Sequence, residues 1–350
     1  MKKISSVALL ALLSVASTVM FSDSGYHLIK KIPIPGDGQW DYISVDDVNR
    51  RVYVSHGTEI EVLDADSGAV VGKIPAPTVD PSNKSTSMGT HGAAIATKLG
   101  RGFTSNGQAG SMTIFDLKTL KILGEAKVGD GADGYLYDPA TQRAFTFSNH
   151  TKDGTAVEGA TGKVAGSVDV GGKPEAATAD GKGHIFVNIE DKDMVLKIDS
   201  KKLTVMERWP TDPCKEPASM AIDPAAGRIF IGCHNKMLAV MDTENGHVVT
   251  TLPIGGGTDA AAFDPGTHFV FTSNGDGNIT VIKEEGPDKY SVIDTVPTEP
   301  GARTMGLDLK THKLFLSLSD RTPAPPAAPG ERARGSLVPG TFRVLIVGRE

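Results

Sequence analysis

Six ionisable side chains fall at one equivalent position in successive segments of this chain, and their chemistry suits a polar binding site. The position lies five residues before the first turn residue of each segment, which is an aspartate in six of the seven segments. Along the chain the column reads Asp41, His91, Asp133, Glu175, Ala218, Asp259 and Arg303. Like charges that are held together raise one another's pKa or recruit a cation. If the segments surround one axis, the column predicts a charged ring around it.

The first interpretation of this ring is a binding site for a small ligand or a divalent metal ion, which is the cofactor that the residue types suggest. The candidate metal ligands are Asp41, Asp133, Glu175 and Asp259. Carboxylate oxygens suit a hard divalent ion, and His91 would extend the choice to a transition metal. Arg303 could neutralise part of the acidic set. The alternative is that all these side chains bind no ligand and are solvated at a wide channel mouth.

A second interpretation is catalysis by a metal-dependent hydrolase or lactonase. A bound ion would polarise a carbonyl group and activate a water molecule. His91 is then the candidate general base, and Arg303 is the candidate clamp for an oxyanion or a carboxylate. The chain has no HExxH, GxSxG, Walker, GxGxxG or CxxCH motif, which argues against zincin proteases, serine α/β-hydrolases, P-loop enzymes and c-type haem attachment.

Further candidate ligands come from the ends of the second strand of each segment. We expect them on the same face as the charged column, where strand-end side chains on a rigid scaffold serve binding. They are His56, Asn106, Asn149, Asn188, His234 and Asn274.

The element that must position these residues is a unit that recurs about every 43 residues. Each unit contains a buried-type aromatic flanked by strand formers, and a second strand that closes on an acidic residue. The aromatics are Tyr53, Phe103, Phe145, Phe186, Phe230, Phe271 and Phe315. A fixed period in this range, with several short strands per unit, is typical of a β-propeller. The sequence therefore predicts an all-β fold with seven blades of four antiparallel strands.

The last unit has no fourth strand before the chain ends, and the N-terminal segment can supply it. Lys31-Ile32-Pro33-Ile34 matches the fourth-strand segments Lys73-Ile74-Pro75-Ala76 and Thr251-Leu252-Pro253-Ile254. We predict that this segment pairs with the C-terminal strand and closes the ring, which removes an exposed sheet edge. Residues 78–90 and the Pro-rich residues 320–340 are insertions that interrupt the repeat.

Residues 1–22 have the order of a secretory signal: two lysines, a short apolar run and then small residues. We therefore predict a signal peptide over 1–22, a single propeller domain over 23–350, and a periplasmic or secreted protein without a membrane span after signal removal. The formal net charge of −6 does not favour general nucleic-acid binding. The expected partners are a small molecule or a periplasmic protein, and the expected state is a monomer.

The chain contains two cysteines, Cys214 and Cys233. In an exported protein, two cysteines and no others indicate a disulfide. The repeat places both residues at the same rim of one blade. Two free thiols and a soft-metal site with His234 remain the alternatives.

The strand-end motifs resemble a known family. Tyr53-Val54-Ser55-His56, Phe103-Thr104-Ser105-Asn106 and Phe271-Thr272-Ser273-Asn274 are similar to the Tyr-Val-Thr-Asn signature of bacterial YVTN-repeat propellers, the YncE-like group. The resemblance covers roughly residues 26–350, and blades 3, 4, 5 and 7 depart from the motif. It implies an exported seven-bladed propeller and supplies no catalytic residues.

We therefore expect a periplasmic propeller that binds a small ligand, a metal ion or a protein partner at its channel mouth. The metal-dependent hydrolase or lactonase is the first alternative. A non-catalytic platform for protein interaction, in which the charged column is idle, is the second.

Overall fold

A computed structural model describes residues 24–79, 88–286, 288–324 and 335–349. The signal peptide expected over 1–22 and parts of both predicted insertions lie outside these residues. The described chain forms seven separate four-stranded sheets, each antiparallel throughout, and we number the sheets as blades in chain order. Two short 3-10 helices, Thr97–Leu99 and Glu190–Lys192, are the helical elements of these residues. The predicted seven-bladed all-β propeller is confirmed.

The N-terminal strand and the first three blades account for strands β1 to β13. The N-terminal strand is β1 (His27–Pro33). Blade 1 consists of β2 (Ile43–Asp46), β3 (Arg51–His56), β4 (Glu59–Asp64) and β5 (Val70–Pro75). Blade 2 consists of β6 (Gly92–Ala96), β7 (Arg101–Asn106), β8 (Ser111–Asp116) and β9 (Ile122–Lys127). Blade 3 consists of β10 (Ala132–Asp138), β11 (Arg143–Ser148), β12 (Asp153–Glu158) and β13 (Val164–Asp169).

The remaining blades follow the same plan, and the last one lacks a fourth strand of its own. Blade 4 consists of β14 (Pro174–Ala179), β15 (His184–Ile189), β16 (Met194–Asp199) and β17 (Thr204–Pro210). Blade 5 consists of β18 (Pro217–Asp223), β19 (Arg228–Cys233), β20 (Met237–Asp242) and β21 (Val248–Pro253). Blade 6 consists of β22 (Thr258–Asp264), β23 (Phe269–Asn274), β24 (Asn278–Gly286) and β25 (Lys289–Pro297). Blade 7 contributes β26 (Thr304–Asp308), β27 (Lys313–Leu318) and β28 (Arg343–Gly348).

The repeating aromatics form the core between the blades. All seven lie in the second strand of their blade, and each has at most 1% of its surface exposed. Neighbouring blades therefore pack through large apolar side chains, and burying side chains of this size contributes most of the stability of such a fold. The strand-closing acids have a local role, because Asp64, Asp116 and Asp242 each accept hydrogen bonds from the turn that follows them.

The ring is closed by strand β1. It pairs antiparallel with β28, from His27 opposite Gly348 to Pro33 opposite Arg343, so blade 7 is completed by the opposite end of the chain. This confirms the predicted closure. Arg50 of blade 1 adds a bridge across the same seam, since its guanidinium donates two 2.8 Å hydrogen bonds to the buried carboxylate of Asp308 in blade 7.

Candidate functional site

Six of the seven column residues line one cavity of about 280 Å³ at the mouth of the central channel. These six are Asp41, His91, Asp133, Glu175, Asp259 and Arg303. Each lies at the start of an innermost strand or just before it, so the repeat brings together residues that are up to 262 positions apart. Blade 5 contributes no charge because its column residue is Ala218. Gln39, Met88, Asn149, His150 and Lys173 complete the lining.

The most compact part of the ring is a buried triad of Asp41, His91 and Asp133. Nδ1 of His91 lies 2.6 Å from Oδ2 of Asp41 and 3.0 Å from Oδ1 of Asp133. Burial opposes protonation of the imidazole, but the two carboxylates outweigh it and raise the pKa of His91 well above its ordinary value. The pKa values of the two acids beside this proton shift in opposite directions. Burial would raise the pKa of Asp133, yet His91 holds it below its usual range, whereas burial prevails and raises the pKa of Asp41.

A protonated His91 is a hydrogen-bond donor and cannot accept a proton. Its predicted role as a general base is therefore not carried further. The three ligand atoms nevertheless lie within 4.8 Å of one another, which makes the triad a candidate metal centre. A metal ion there would replace the shared proton. Glu175 and Asp259, the other predicted metal ligands, lie outside this compact cluster in the part of the chain that the structure describes.

A second group links blades 3 to 5 at the same mouth. Nζ of Lys173 lies 3.5 Å from Glu175 and also forms an ion pair with Glu190. Burial raises the pKa of Glu175 well above its usual range, repulsion from Asp133 adds to this, and Lys173 offsets only part of it. Glu190 behaves oppositely, because a hydrogen bond from His234 and the pairing with Lys173 lower its pKa to about 2. Lys173 thus serves two acids and neutralises Glu175 incompletely.

The third group is the pair of Asp259 and Arg303 in blades 6 and 7. Their side chains are in direct ionic contact, and the acids around Arg303, above all Asp259, raise its pKa further. Even so, burial raises the pKa of Asp259 to about 6. Arg303 is therefore held by Asp259 and is not free to act as an oxyanion clamp in this arrangement.

Below the charged ring the channel narrows into a mostly apolar chamber of about 140 Å³. Tyr42 and Tyr135 meet edge to face there with ring centroids 5.7 Å apart, and Met220 and Met305 lie beside them. The hydroxyl of Tyr42 lies 3.4 Å from Glu175, which joins the chamber to the ring above. The chamber thus lies directly beneath a ligand at the mouth.

Two of the predicted strand-end asparagines, Asn106 and Asn274, do not join the ring. Asn106 is fully buried in blade 2 and donates to Ser111 and Thr113 of the neighbouring strand. Asn274 makes the equivalent bonds inside blade 6. Both side chains use their amide nitrogens within their own blade and do not line the mouth.

Two of the predicted histidines lie away from the charged ring. His56 is buried between blades 1 and 7, where it stacks on Phe342 with 3.9 Å between the ring centroids. His234 lies 3.4 Å from Glu190 and lines an adjoining cavity of about 450 Å³, together with Trp40, Lys236 and Arg321. His234 thus contacts Glu190, which in turn pairs with Lys173 at the mouth.

The residue that sequence reasoning missed is Glu190, and the repeat contains a signal for it. Asn149, Glu190 and His234 each lie four positions after the repeating aromatic of their blade. All three reach the mouth: Asn149 donates a 3.2 Å hydrogen bond to Asp133, and Glu190 contacts Lys173 and His234. The residue three positions after the aromatic is still inside the strand.

Cys214 and Cys233 form a disulfide at the rim of blade 5, with 5.7 Å between their Cα atoms. This confirms the predicted pairing and sets aside both the free thiols and the soft-metal site with His234. No helix in the described residues is long and apolar enough to cross a membrane.

Comparison with known proteins identifies the fold alone. No established protein family and no curated protein sequence matches this chain. The solved structure of U3-55K superposes with a TM-score of 0.73 at 10% identity, over 93% of this chain and 99% of that chain. The mitotic checkpoint complex gives a TM-score of 0.71 at 12% identity, over 99% of both chains. Hydrazine synthase of Kuenenia stuttgartiensis gives 0.67 at 14% identity, over 87% of this chain and 95% of that chain. At these identities the chain is identified as a seven-bladed β-propeller, and the YVTN-repeat assignment stays a prediction.

Proposed function

We propose that this protein is an exported binding propeller that takes a small cationic ligand at the mouth of its channel. A divalent metal ion at Asp41, His91 and Asp133 or a ligand with an amino group would supply the same charge. The proposal specifies the location of the site and the positive charge of its ligand. Export is supported by the signal-like residues 1–22 and by the disulfide, which is typical of oxidising compartments.

The charge balance of the mouth carries the proposal. Four carboxylates line the cavity, of which Asp41, Asp133 and Asp259 are buried and Glu175 is partly exposed, and the permanent cations beside them are Lys173 and Arg303. Lys173 is also engaged by Glu190. His91 restores part of the balance only by holding a proton, and the pKa values of Glu175 and Asp259 remain raised. A raised pKa means that a carboxylate lacks enough positive charge around it, so a bound cation would stabilise its charged form.

Calorimetry and thermal unfolding of the full chain test this proposal with Mn²⁺, Zn²⁺, Ca²⁺ and a simple diamine as probes. A ligand at a hundredfold excess over its dissociation constant should stabilise the fold by about 2.7 kcal/mol. Asp133→Asn or Asp259→Asn should weaken binding of the probe about tenfold or more. The matched control is Glu125→Gln, which removes an exposed acid on β9 and should change nothing.

The pH dependence gives an independent check. Asp259 has a folded pKa of about 6, so protons compete with the cation below that pH. Affinity should fall as the pH is lowered from 7 to 5, and binding at pH 6 should release protons. Equal affinity at both pH values, or probe binding that survives Asp133→Asn and Asp259→Asn together, contradicts the proposal. Lactone or ester hydrolysis that a chelator abolishes would instead favour the hydrolase.

A further inference from the structure

Blade 1 contains a second cluster of metal-ligand side chains, distinct from the channel mouth. His56 is the last residue of β3 and lies opposite Glu59, the first residue of β4. Glu61 follows two positions later and therefore lies on the same face of the sheet as Glu59. One ligand atom from each of the three side chains lies within 4.8 Å of the others. The hairpin thus brings an imidazole and two carboxylates together.

His56 is the feature of this cluster that requires an explanation. Its side chain is only 2% exposed, yet neither ring nitrogen has a hydrogen-bond partner among the described residues. Nδ1 lies 3.9 Å from Oε1 of Glu61, which is beyond hydrogen-bond length. Buried polar groups in native proteins are almost always partnered. The ring therefore points two lone polar atoms into a protein interior, one of them towards Glu61.

The position of the ring is fixed from outside the cluster. It stacks on Phe342 at an interplanar angle of 11°. Its edge faces Gly36 and Gly38, where an added Cβ would come within 3.1 Å of the imidazole carbons Cε1 and Cδ2 respectively. A side chain at either position would force the ring to shift by a few tenths of an ångström. This packing holds the ring in one orientation, with Nδ1 towards Glu61.

The other blades show what this position normally does. In blade 2 the equivalent residues are Asn106, Ser111 and Thr113, and the amide of Asn106 donates to both hydroxyls at 3.2 and 2.9 Å. In blade 6 they are Asn274, Asn278 and Thr280, and the amide of Asn274 donates to both side chains at 2.9 and 3.0 Å. In both blades, the three side chains are joined directly by hydrogen bonds.

Blade 1 departs from this pattern in all three residues at once. The amide becomes an imidazole, both acceptors become carboxylates, and the direct bond between the strands opens to 3.9 Å. A divalent ion with ligand distances of about 2.0–2.2 Å would bridge a gap of this size after small side-chain rotations. Glu59 is engaged by Lys73 at 2.9 Å, but the Lys73 side chain is 61% exposed and can turn to solvent.

We propose that His56, Glu59 and Glu61 form a binding site for a divalent transition-metal ion of the Zn²⁺ class. One imidazole with two carboxylates matches the nitrogen and oxygen ligands that Zn²⁺ accepts, whereas Ca²⁺ and Mg²⁺ prefer oxygen ligands alone. The ion would join β3 to β4 beside Phe342, which directly precedes β28, the partner of the closing strand β1. This site is independent of the cation site proposed at the channel mouth.

Metal titration of the full chain, stripped by a chelator and then dialysed, tests the proposal. Zn²⁺ is followed by calorimetry, and Co²⁺ is followed by its visible absorption. Glu61→Gln should weaken binding at this site at least tenfold. The triple change His56→Asn, Glu59→Ser and Glu61→Thr copies the trio of blade 2 and should abolish it. The matched control Asp153→Asn, at the position of Glu59 in blade 3, should leave it unchanged.

A second measurement keeps the test decisive if the triple variant does not fold. In wild type, Zn²⁺ should shift the ¹⁵N resonance of a His56 ring nitrogen, which is assigned by its loss in His56→Asn. Asp133→Asn should leave this shift intact, so failure of the mouth site and failure of the blade 1 site are separable. A His56 resonance that does not respond to Zn²⁺, or Zn²⁺ affinity that is unchanged in folded Glu61→Gln, overturns the proposal.

Discussion

The closing strand β1 offers a matched pair of isoleucines that tests whether the ring depends on it. Ile32 is 8% exposed and lies opposite Val344 of β28. Its Cδ1 also reaches Gly68 in blade 1, where an added Cβ would come within 2.2 Å of it. Ile29 lies on the same strand but is 41% exposed. Ile29 lies at the bulge between Leu28 and Lys30 and packs less, so a larger cost at Ile32 reports its burial.

The expected magnitudes follow from the atoms removed. Ile32→Ala deletes three buried carbons, which corresponds to about 2.4 kcal/mol at ~0.8 kcal/mol for each. Because the site lies between two blades and cannot collapse fully, a cavity contribution places the total at about 2–4 kcal/mol. Ile29→Ala should cost less than about 1 kcal/mol.

Guanidinium denaturation, followed by the fluorescence of Trp40 and Trp209, measures both values. Hydrogen exchange then locates the effect. Amides of β28 should lose protection in Ile32→Ala, whereas those of blade 4 should change less, because closure is local to the seam between blades 7 and 1. The reasoning is refuted if the two variants unfold at the same denaturant concentration, or if β28 keeps its protection while the free energy of unfolding falls.

Three further predictions concern single groups. Reducing the Cys214–Cys233 disulfide, which joins residues 19 positions apart, should lower the free energy of unfolding by about 3 kcal/mol; equal denaturation curves with and without reductant would contradict this. Asp133→Asn should lower the pKa of His91 in an NMR titration, since Asp133 is the strongest influence that raises it. An unchanged pKa would contradict the interaction between Asp133 and His91. Glu190 has its pKa lowered to about 2, so it stabilises the fold above its unfolded pKa of about 4.3. That contribution is lost as the pH falls from about 4.3 towards 2, and Glu190→Gln should flatten this acid limb of a stability curve.

The fold was accessible from the sequence because its signal is repeated. A buried aromatic such as Phe103 or Phe271 is weak evidence alone, since any core contains such residues. Seven of them in register leave a propeller as the architecture that satisfies every spacing. The closing strand was accessible for a related reason: Ile32 and Ile34 match fourth-strand positions, and blade 7 has no other strand to complete it.

The residues of the channel mouth could be predicted from the sequence only in part. The innermost-strand column was placed correctly at one cavity, because its residues are anchored by the aspartates of the first turn. The strand-end set was placed correctly for Asn149 and His234, which reach the mouth, and was one residue out in blades 1, 2 and 6. His56, Asn106 and Asn274 end their strands and remain paired across the sheet, so their side chains stay inside the blades. The next residue leaves the ladder, and in blades 3, 4 and 5 that residue is polar and reaches the mouth.

The pKa shifts in the charged ring could not be predicted from the sequence, because they depend on neighbouring side chains from other blades. Asp41 and Asp133 touch the same nitrogen of His91, yet the pKa of one is raised and that of the other is lowered. Asp133 is also approached by Lys173 and Arg303, and it accepts a hydrogen bond from Asn149. No spacing along the chain records these contacts. They exist only once the ring has closed.

In a repeat protein, the residues that recur and the residues that depart from recurrence answer different questions. The acids that close the third strands recur because every blade needs the same turn, and their hydrogen bonds end in that turn. At the mouth, one position holds aspartate, histidine, alanine and arginine in different blades, so no shared structural need can explain it. The trio of His56, Glu59 and Glu61 is the same kind of departure, at a position that blades 2 and 6 close with hydrogen bonds. Both places replace an ordinary solution with buried ionisable groups that cost stability unless something binds them. The two proposed ligands would offset this cost, which is why both proposals are tested by binding and stability together.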